Sequence, residues 1–261
     1  MSKADPTGTQ GKLDGLKILV TRPAGQSVSL IEAIQAQGGI AHSFPLIEIH
    51  PATTCPDTLA RLADYDLVIF VSRNAVECAW GWISGRASAT APLEGIDIAA
   101  VGQATAAALE QHDCPSIIVP SSRFDSEGLL AMPEFEAVAG KRILIIRGQS
   151  GREKLAECLR SRGAQVDYAE VYQRRPTKRV LTFGAKEIDV ILVTSREALA
   201  TLQQIANATG KPWLLDKPLL VLHERIAMRA RELGFTLNPV IADQASEAAM
   251  LDALDSMNNN A

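Results

Sequence analysis

A chain of 261 residues with 47% apolar and 21% charged side chains has an ordinary globular balance and room for two α/β domains, which excludes a disordered or fibrous protein. The formal charge of −4 gives no basic footprint for nucleic acid, and no apolar run approaches the ~20 residues of a membrane span. Four widely spaced cysteines (Cys55, Cys78, Cys114, Cys158) form no Cys-x-x-Cys pair and predict reduced thiols in a cytoplasmic protein, without a disulfide frame or zinc site.

The polar residues Met1 to Gly15 lack the apolar stretch of a signal peptide and read as a disordered tail. Lys17 to Thr21 is a short buried strand that runs into Arg22-Pro23-Ala24-Gly25-Gln26. Ser27 is placed to cap a helix whose apolar stripe is Leu30, Ile31 and Ile34, and Gly38-Gly39 stops it. Ile40 to Phe44 is a second strand. Ile47 to His50, flanked by Pro45 and Pro51, is extended and suits a connection between domains. Cys55 to Ala63 reads as a helix, and Asp66 to Val71 as a strongly apolar strand that ends in Ser72-Arg73-Asn74-Ala75-Val76 and another helix. Ile96 to Val101 is a strand leading through Gly102-Gln103-Ala104-Thr105 into a helix to Leu109. Ile117 to Pro120 is a short strand, and Ser126 opens the helix that follows. Strands alternating with helices at this spacing imply a parallel sheet covered on both faces.

The pattern then recurs. Ile143 to Tyr172 mirrors Ile18 to Ile49, with Gly163 where Gly38 stood, and Val190 to Ser195 mirrors Val68 to Ser72. Leu219 to Leu222 answers Ile98 to Val101, and Ser246-Glu247 answers Ser126-Glu127, an offset of 120 by subtraction (246 less 126) that reaches 126 at Gly25 and Gly151 (151 less 25). An internal duplication of this size gives two similar domains and not a solenoid.

Common active sites are missing. No Gly-x-Gly-x-x-Gly or Gly-x-x-x-x-Gly-Lys-Ser/Thr cradle is present, nor a Gly-x-Ser-x-Gly elbow. His42, His50, His112 and His223 have no metal-ligand spacing, and Ser72 and Ser195 stand where a receiver domain carries a carboxylate. What the strand ends carry is hydroxyls, glycines and arginines: Thr21, Arg22, Ser72, Asn74, Gly102, Thr105, Ser126, Arg147, Gly148, Arg152 and Ser195. Ordinary helix capping explains any one of them. Their recurrence in both halves favours a cleft that holds an acidic ligand through helix-start amides, with Arg147 and Arg152 as solvated, ligand-facing donors.

These residues resemble the uroporphyrinogen-III synthase family from Leu16 to about Leu254. The resemblance rests on Val-Thr-Arg-Pro (20–23), Pro-Leu-Ile-Glu-Ile (45–49), Ser-Arg-Asn-Ala-Val (72–76), Val-Gly-Gln-Ala-Thr (101–105), Ser-Glu-Gly-Leu-Leu (126–130), Arg-Gly-Gln-Ser-Gly-Arg-Glu (147–153) and Val-Tyr-Gln-Arg (171–174). One departure is Leu222-His223-Glu224-Arg225-Ile226, the second-half counterpart of Val-Gly-Gln-Ala-Thr. The resemblance implies two flavodoxin-like parallel-sheet domains, 1–46 plus 177–261 and 51–171. The segments 47–50 and 172–176 would link them, with Ile47 to His50 laddered against Tyr172 to Arg175, and the first strand–helix unit would complete the C-terminal domain. It implies closure of hydroxymethylbilane, a linear tetrapyrrole, to uroporphyrinogen III, with loss of water and inversion of the last ring. No metal or cofactor is implied, and neither a nucleic acid nor a membrane partner; the expected state is a monomer that makes transient contact with the preceding pathway enzyme. Tyr172, at the hinge of the expected cleft, is the candidate to protonate or orient the departing hydroxyl; otherwise it is a ladder tyrosine packing its ring. A rival class is a binding module that clamps an acidic metabolite without turnover.

Overall fold

The computed structural model describes residues 11–85, 93–114, 116–151 and 153–259. The chain divides into two compact units, Met1–Glu48 with Arg175–Ala261, and Ile49–Arg174. Its strands are β1 (Lys17–Val20), β2 (Ile40–Ser43), β3 (Ile47–Pro51), β4 (Leu67–Phe70), β5 (Asp97–Ala100) and β6 (Ile117–Ile118), then β7 (Arg142–Gly148), β8 (Gln165–Pro176), β9 (Val190–Val193), β10 (Leu219–Val221) and β11 (Val240–Ile241). The helices are α1 (Val28–Ala36), α2 (Asp57–Ala60), α3 (Arg73–Ser84), α4 (Gln103–Glu110), α5 (Ser126–Leu130), α6 (Lys154–Ser161), α7 (Arg196–Ala208), α8 (Glu224–Glu232) and α9 (Glu247–Asn259). Among the described residues no helix is long and apolar enough to cross a membrane.

The first unit holds a sheet in the order β2-β1-β9-β10-β11, and the second a sheet in the order β3-β8-β7-β4-β5-β6. The pairings of β1 with β2 and β9, and of β7 with β8 and β4, are parallel. Counted from β1 in one unit and from β7 in the other, both sheets read 2-1-3-4-5, with β3 added at the edge of the second. The same layering recurs in each. Leu19, Ile191 and Val193 pack with Leu199 and Leu202 of α7 and Ile226 of α8, while Ile18, Val20 and Leu192 pack with Leu30 and Ile34 of α1 and Met250 of α9. In the second unit Val68, Phe70, Leu144 and Ile146 meet Val76 of α3 and Leu109 of α4, and Leu67, Ile69, Ile143 and Ile145 meet Leu129 of α5 and Leu155 of α6. Strands buried on both faces read as continuous apolar runs, which is why these runs are so plain in the sequence.

The duplication extends to turn geometry. Gly38 and Gly163 both take positive φ (84° and 87°), as do Gly15 and Gly140 (73° and 78°), and each pair stands 125 residues apart (163 less 38; 140 less 15). The backbone bond closing the turn is the same in both: Gly15 N–H donates to Gly38 at 3.1 Å and Gly140 N–H to Gly163 at 2.9 Å.

Several expectations are corrected. Residues 11–15 are not tail: Leu13 is fully buried in the first unit's core, while residues 1–10 lie outside the described residues. Ser27 does not cap α1; its hydroxyl donates to the Ala24 carbonyl at 3.0 Å. The helix expected over 55–63 is only α2 followed by a 3-10 turn at Leu62–Asp64. Arg61, between the two, leaves the helical conformation (φ −109°, ψ 37°), and Thr58 within α2 donates to the Tyr168 carbonyl at 2.8 Å, tying the segment to β8. The predicted ladder between 47–50 and 172–175 is part of a longer arrangement. Thr177 N–H donates to Leu46 and Ala52 N–H to Val171, so β3 runs antiparallel to the last part of the 12-residue β8.

Candidate functional site

In a sheet of order 2-1-3-4-5 the connections leave strands 1 and 3 in opposite directions, and the crevice beyond their carboxyl ends is the usual ligand site. That point lies between β7 and β4 in the second unit and between β1 and β9 in the first. Ser72 directly follows the β4–Val71 run, Arg147 and Gly148 end β7, and Gly102 and Thr105 follow β5. In the first unit Thr21 and Arg22 follow β1 and Ser195 follows β9.

The second unit brings Ser72, Gly148 and Tyr172 into contact. Ser72 Oγ accepts the Ala75 N–H at 3.2 Å, capping α3, and lies 3.1 Å from the Tyr172 hydroxyl, where either oxygen can be the donor. Gly148 underlies the Tyr172 ring so closely that a β-carbon there would stand 2.7 Å from it. Gln149 N–H donates to the Tyr172 carbonyl at 2.7 Å. A β-bulge produces this arrangement. Arg147 pairs with Glu170 but Gly148 pairs with Tyr172, leaving one extra residue on β8. Before the bulge Val166 and Tyr168 face the layer of α5 and α6. After it Val171 and Tyr172 both face the layer of α3 and α4. Regular alternation would put Tyr172 on the Tyr168 face, away from Ser72. Bulges beside active sites re-aim side chains in this way.

Arg147 departs from the expectation of a solvated arginine: its side chain is only 6% exposed. Nη1 donates to Glu153 at 2.8 Å, Nε to the Gly148 carbonyl at 3.3 Å, and the guanidinium lies 4.6 Å from the centre of the Tyr168 ring. Tyr168 also donates to the other Glu153 oxygen. These bonds from Tyr168 and then Arg147 hold the Glu153 carboxyl below the usual carboxylate range. Burial, followed by the bond to Glu153, pushes the Tyr168 phenol up. Burying the cation forces these partners, since an unsatisfied guanidinium inside a protein is costly. Arg152 lies outside the described residues.

The other expected residues are spread over two places. Gly102 is the cap position of α4, and a β-carbon there would meet Phe124 at an ordinary 3.4 Å, so neither local packing nor its extended backbone requires glycine. Thr105 is buried and bonds back to Gly102 at 3.0 Å; Asn74 is half-buried in the first turn of α3. Ser126 is the first residue of α5 and not its cap, because Asp125 accepts the Gly128 N–H at 2.9 Å. In the first unit Thr21 is buried and donates to the Leu192 carbonyl at 2.7 Å, which commits its proton to the fold. Arg22 pairs with Glu247 at 3.2 Å, and Ser195 caps α7 through Ala198 N–H at 3.1 Å. His223 stands at the cap position of α8 without a side-chain cap bond, so the departure from the first-half motif also changes the cap position. The residue pattern does not single out Glu153 or Tyr168, and the one local signal is at Asp125, an acidic residue placed to cap three residues before Gly128.

A family model described as uroporphyrinogen-III synthase HemD matches residues 28–252. The uroporphyrinogen-III synthase of Escherichia coli (strain K12) is 38% identical over 248 residues, which is 92% of this chain and 100% of that one. That of Salmonella typhimurium is 38% identical over 250 residues, again 92% and 100%. Among solved structures, the uroporphyrinogen-III synthetase of Helicobacter pylori 26695 matches with a TM-score of 0.63 at 17% identity, covering 93% of this chain and 99% of that one. A mutant synthase from Thermus thermophilus matches with a TM-score of 0.62 at 17% identity, covering 95% and 100%. At that identity the structures speak for the fold, an α/β architecture of parallel sheets.

Proposed function

The chain belongs to the uroporphyrinogen-III synthase family, a cyclising lyase of haem biosynthesis, and on that premise we propose how its residues close hydroxymethylbilane to uroporphyrinogen III. The observation that carries the reading is the Ser72–Tyr172 hydroxyl pair, 3.1 Å apart at the crevice end of β4 and β7. Ser72 Oγ already accepts the Ala75 amide. With its own proton donated to the Tyr172 oxygen, it leaves the phenol proton directed at the ligand and stabilises the charge left when that proton departs. The Tyr172 proton goes to the substrate's hydroxyl, the carbon–oxygen bond breaks, and water leaves. The adjoining pyrrole nitrogen supplies the electron pair that stabilises the resulting cation. The substituted carbon of the last ring, which also carries the bridge to the third ring, attacks this cation to form a spiro centre. Its bond to that bridge then breaks, leaving the bridge carbon as a second pyrrole-stabilised cation. The free α-carbon of the last ring bonds to it, closing the macrocycle with the ring inverted. The proton lost from carbon on closure restores the phenol.

The substrate's carboxylates suit amides at the starts of α3, α4 and α7, opened by Ser72, Gly102 and Ser195. Gly102, which its own surroundings do not require, leaves room for a carboxylate to reach the backbone. Arg22, Asn74 and Arg152 are further candidates for these anions; Thr21, Thr105 and Ser126 shape the strand ends. We read 1–46 plus 177–261 and 51–171 as flavodoxin-like domains, with 47–50 and 172–176 linking them.

The test is isomer analysis of the porphyrin formed from freshly generated hydroxymethylbilane. The protein should yield the type III isomer. Type I alone, the product of spontaneous closure, would leave a binding module and sink the enzymatic reading. Tyr172→Phe should lower kcat by ~10²-fold or less, because the leaving group is already activated, while the product stays type III. Full activity would make Tyr172 a packing residue, and a switch to type I would mean that the hydroxyl holds the substrate's fold.

A further inference from the structure

We propose that Arg147, Glu153 and Tyr168 are a positioning set for Tyr172, acting from the opposite face of the sheet; this rests on the reading of Tyr172 given above. The turn after β7 contains Ser150 in the left-handed region, φ 70°, a conformation a non-glycine residue keeps only when its surroundings hold it. The turn is braced on both sides of Ser150 by the groups around Arg147. Its guanidinium bonds the Gly148 carbonyl at one end of the turn and Glu153 at the other. Gly151 packs over it so tightly that a β-carbon there would stand 2.5 Å from an Nη atom. Tyr168 fastens the assembly to β8 through its ring under Arg147 and its hydroxyl on Glu153.

That turn is what Tyr172 rests on. Gly148 underlies its ring and Gln149 N–H bonds its carbonyl, both next to the register shift between Arg147 and Gly148. Loosening the anchored turn moves Gly148 and Gln149, and with them the ring that carries the hydroxyl to Ser72. Arg147 is therefore a positioning residue with a buried charge, and its guanidinium is already engaged by Glu153 inside the protein instead of facing a ligand's carboxylate.

Tyrosine labelled at the ring carbon bearing the hydroxyl gives a direct test, because the chain has only 3 tyrosines, each assignable by a Tyr→Phe variant. The probes are Glu153→Gln and Tyr168→Phe, conservative changes beside a half-exposed carboxylate, with Arg147→Lys as the stronger perturbation. The Tyr172 resonance should shift in Glu153→Gln although that residue lies across the sheet, while the Tyr65 resonance stays in place. Tyr65 is the control because its hydroxyl is held separately by Asp167 at 3.0 Å. kcat should fall by no more than it does in Tyr172→Phe, with KM nearly unchanged, and the loss should disappear when Glu153→Gln is made in the Tyr172→Phe protein. An unmoved Tyr172 resonance, or losses that multiply in the double variant, would overturn the proposal. A shifted resonance combined with a fully active Tyr172→Phe would keep the positioning set and overturn only the acid role of Tyr172.

Discussion

Gly148→Ala adds a methyl carbon 2.7 Å from the Tyr172 ring, too close for ordinary contact. Overfilling of this kind costs about 1–3 kcal/mol, and here the displaced group is the phenol proposed above as the acid, so stability and activity should fall together. In a Tyr172→Ala background the stability cost should largely vanish, which paired denaturation curves can measure; an unchanged cost would mean that some other neighbour resists the methyl. Glu153 carries the pH prediction. Its carboxyl is held down first by the Tyr168 bond and then by Arg147, so its folded value lies below the unfolded one of about 4.3. A depressed carboxylate stabilises the fold above the unfolded value, and that contribution is lost as pH falls through the folded value. Urea midpoints of the wild-type protein and Glu153→Gln should therefore differ at pH 7 and converge on acidification. A constant gap from neutral to acid pH would refute the linkage.

At the scale of elements, α5 shows how a cap is identified. Ser126 is the first helical residue, where the sequence places the helix start, but the cap is Asp125, which accepts the Gly128 N–H. Gly128 also lies so close to the Arg123 carbonyl that a β-carbon would meet it at 1.8 Å, which locks the path of this start. Asp125→Ala should cost about 1 kcal/mol, the usual worth of an N-cap, and Ser126→Ala within about 0.5 kcal/mol. Equal effects in chemical denaturation would reverse the assignment. Helix periodicity identifies α1, α3 and α7 because their apolar faces are long; α5, at five residues, has too few turns for a period, and its start is set by hydrogen bonds instead.

At the scale of the molecule, each hydrophobic cluster among the described residues draws its members from one unit. The two layers around β4 and β7 lie wholly between Ile49 and Tyr172, and those around β1 and β9 wholly outside that span. The second unit therefore holds a complete core, and residues 49–174 expressed alone should melt cooperatively with an α/β circular dichroism spectrum. A non-cooperative melt would show that its core depends on the remainder of the chain.

Strands buried on both faces, the glycines at 38 and 163, the 125-residue echo between them (163 less 38) and the hydroxyl caps at Ser72 and Ser195 are all legible in the amino-acid sequence alone. Each is written within a few consecutive residues, as an apolar run, a left-handed turn or a cap three residues from its amide. Motif order likewise carries the family. The face that Tyr172 presents is not legible, because it depends on a register shift against β7 and ends on Ser72, 100 residues away. Nor is the burial of Arg147, which the sequence presents as a turn arginine and the tertiary structure encloses with Tyr168 and Glu153. Period-two alternation predicts side-chain direction only while the ladder stays in register. One extra residue on β8 reverses it, and whether that residue is accommodated is decided by the neighbouring strand and turn, not by β8 itself.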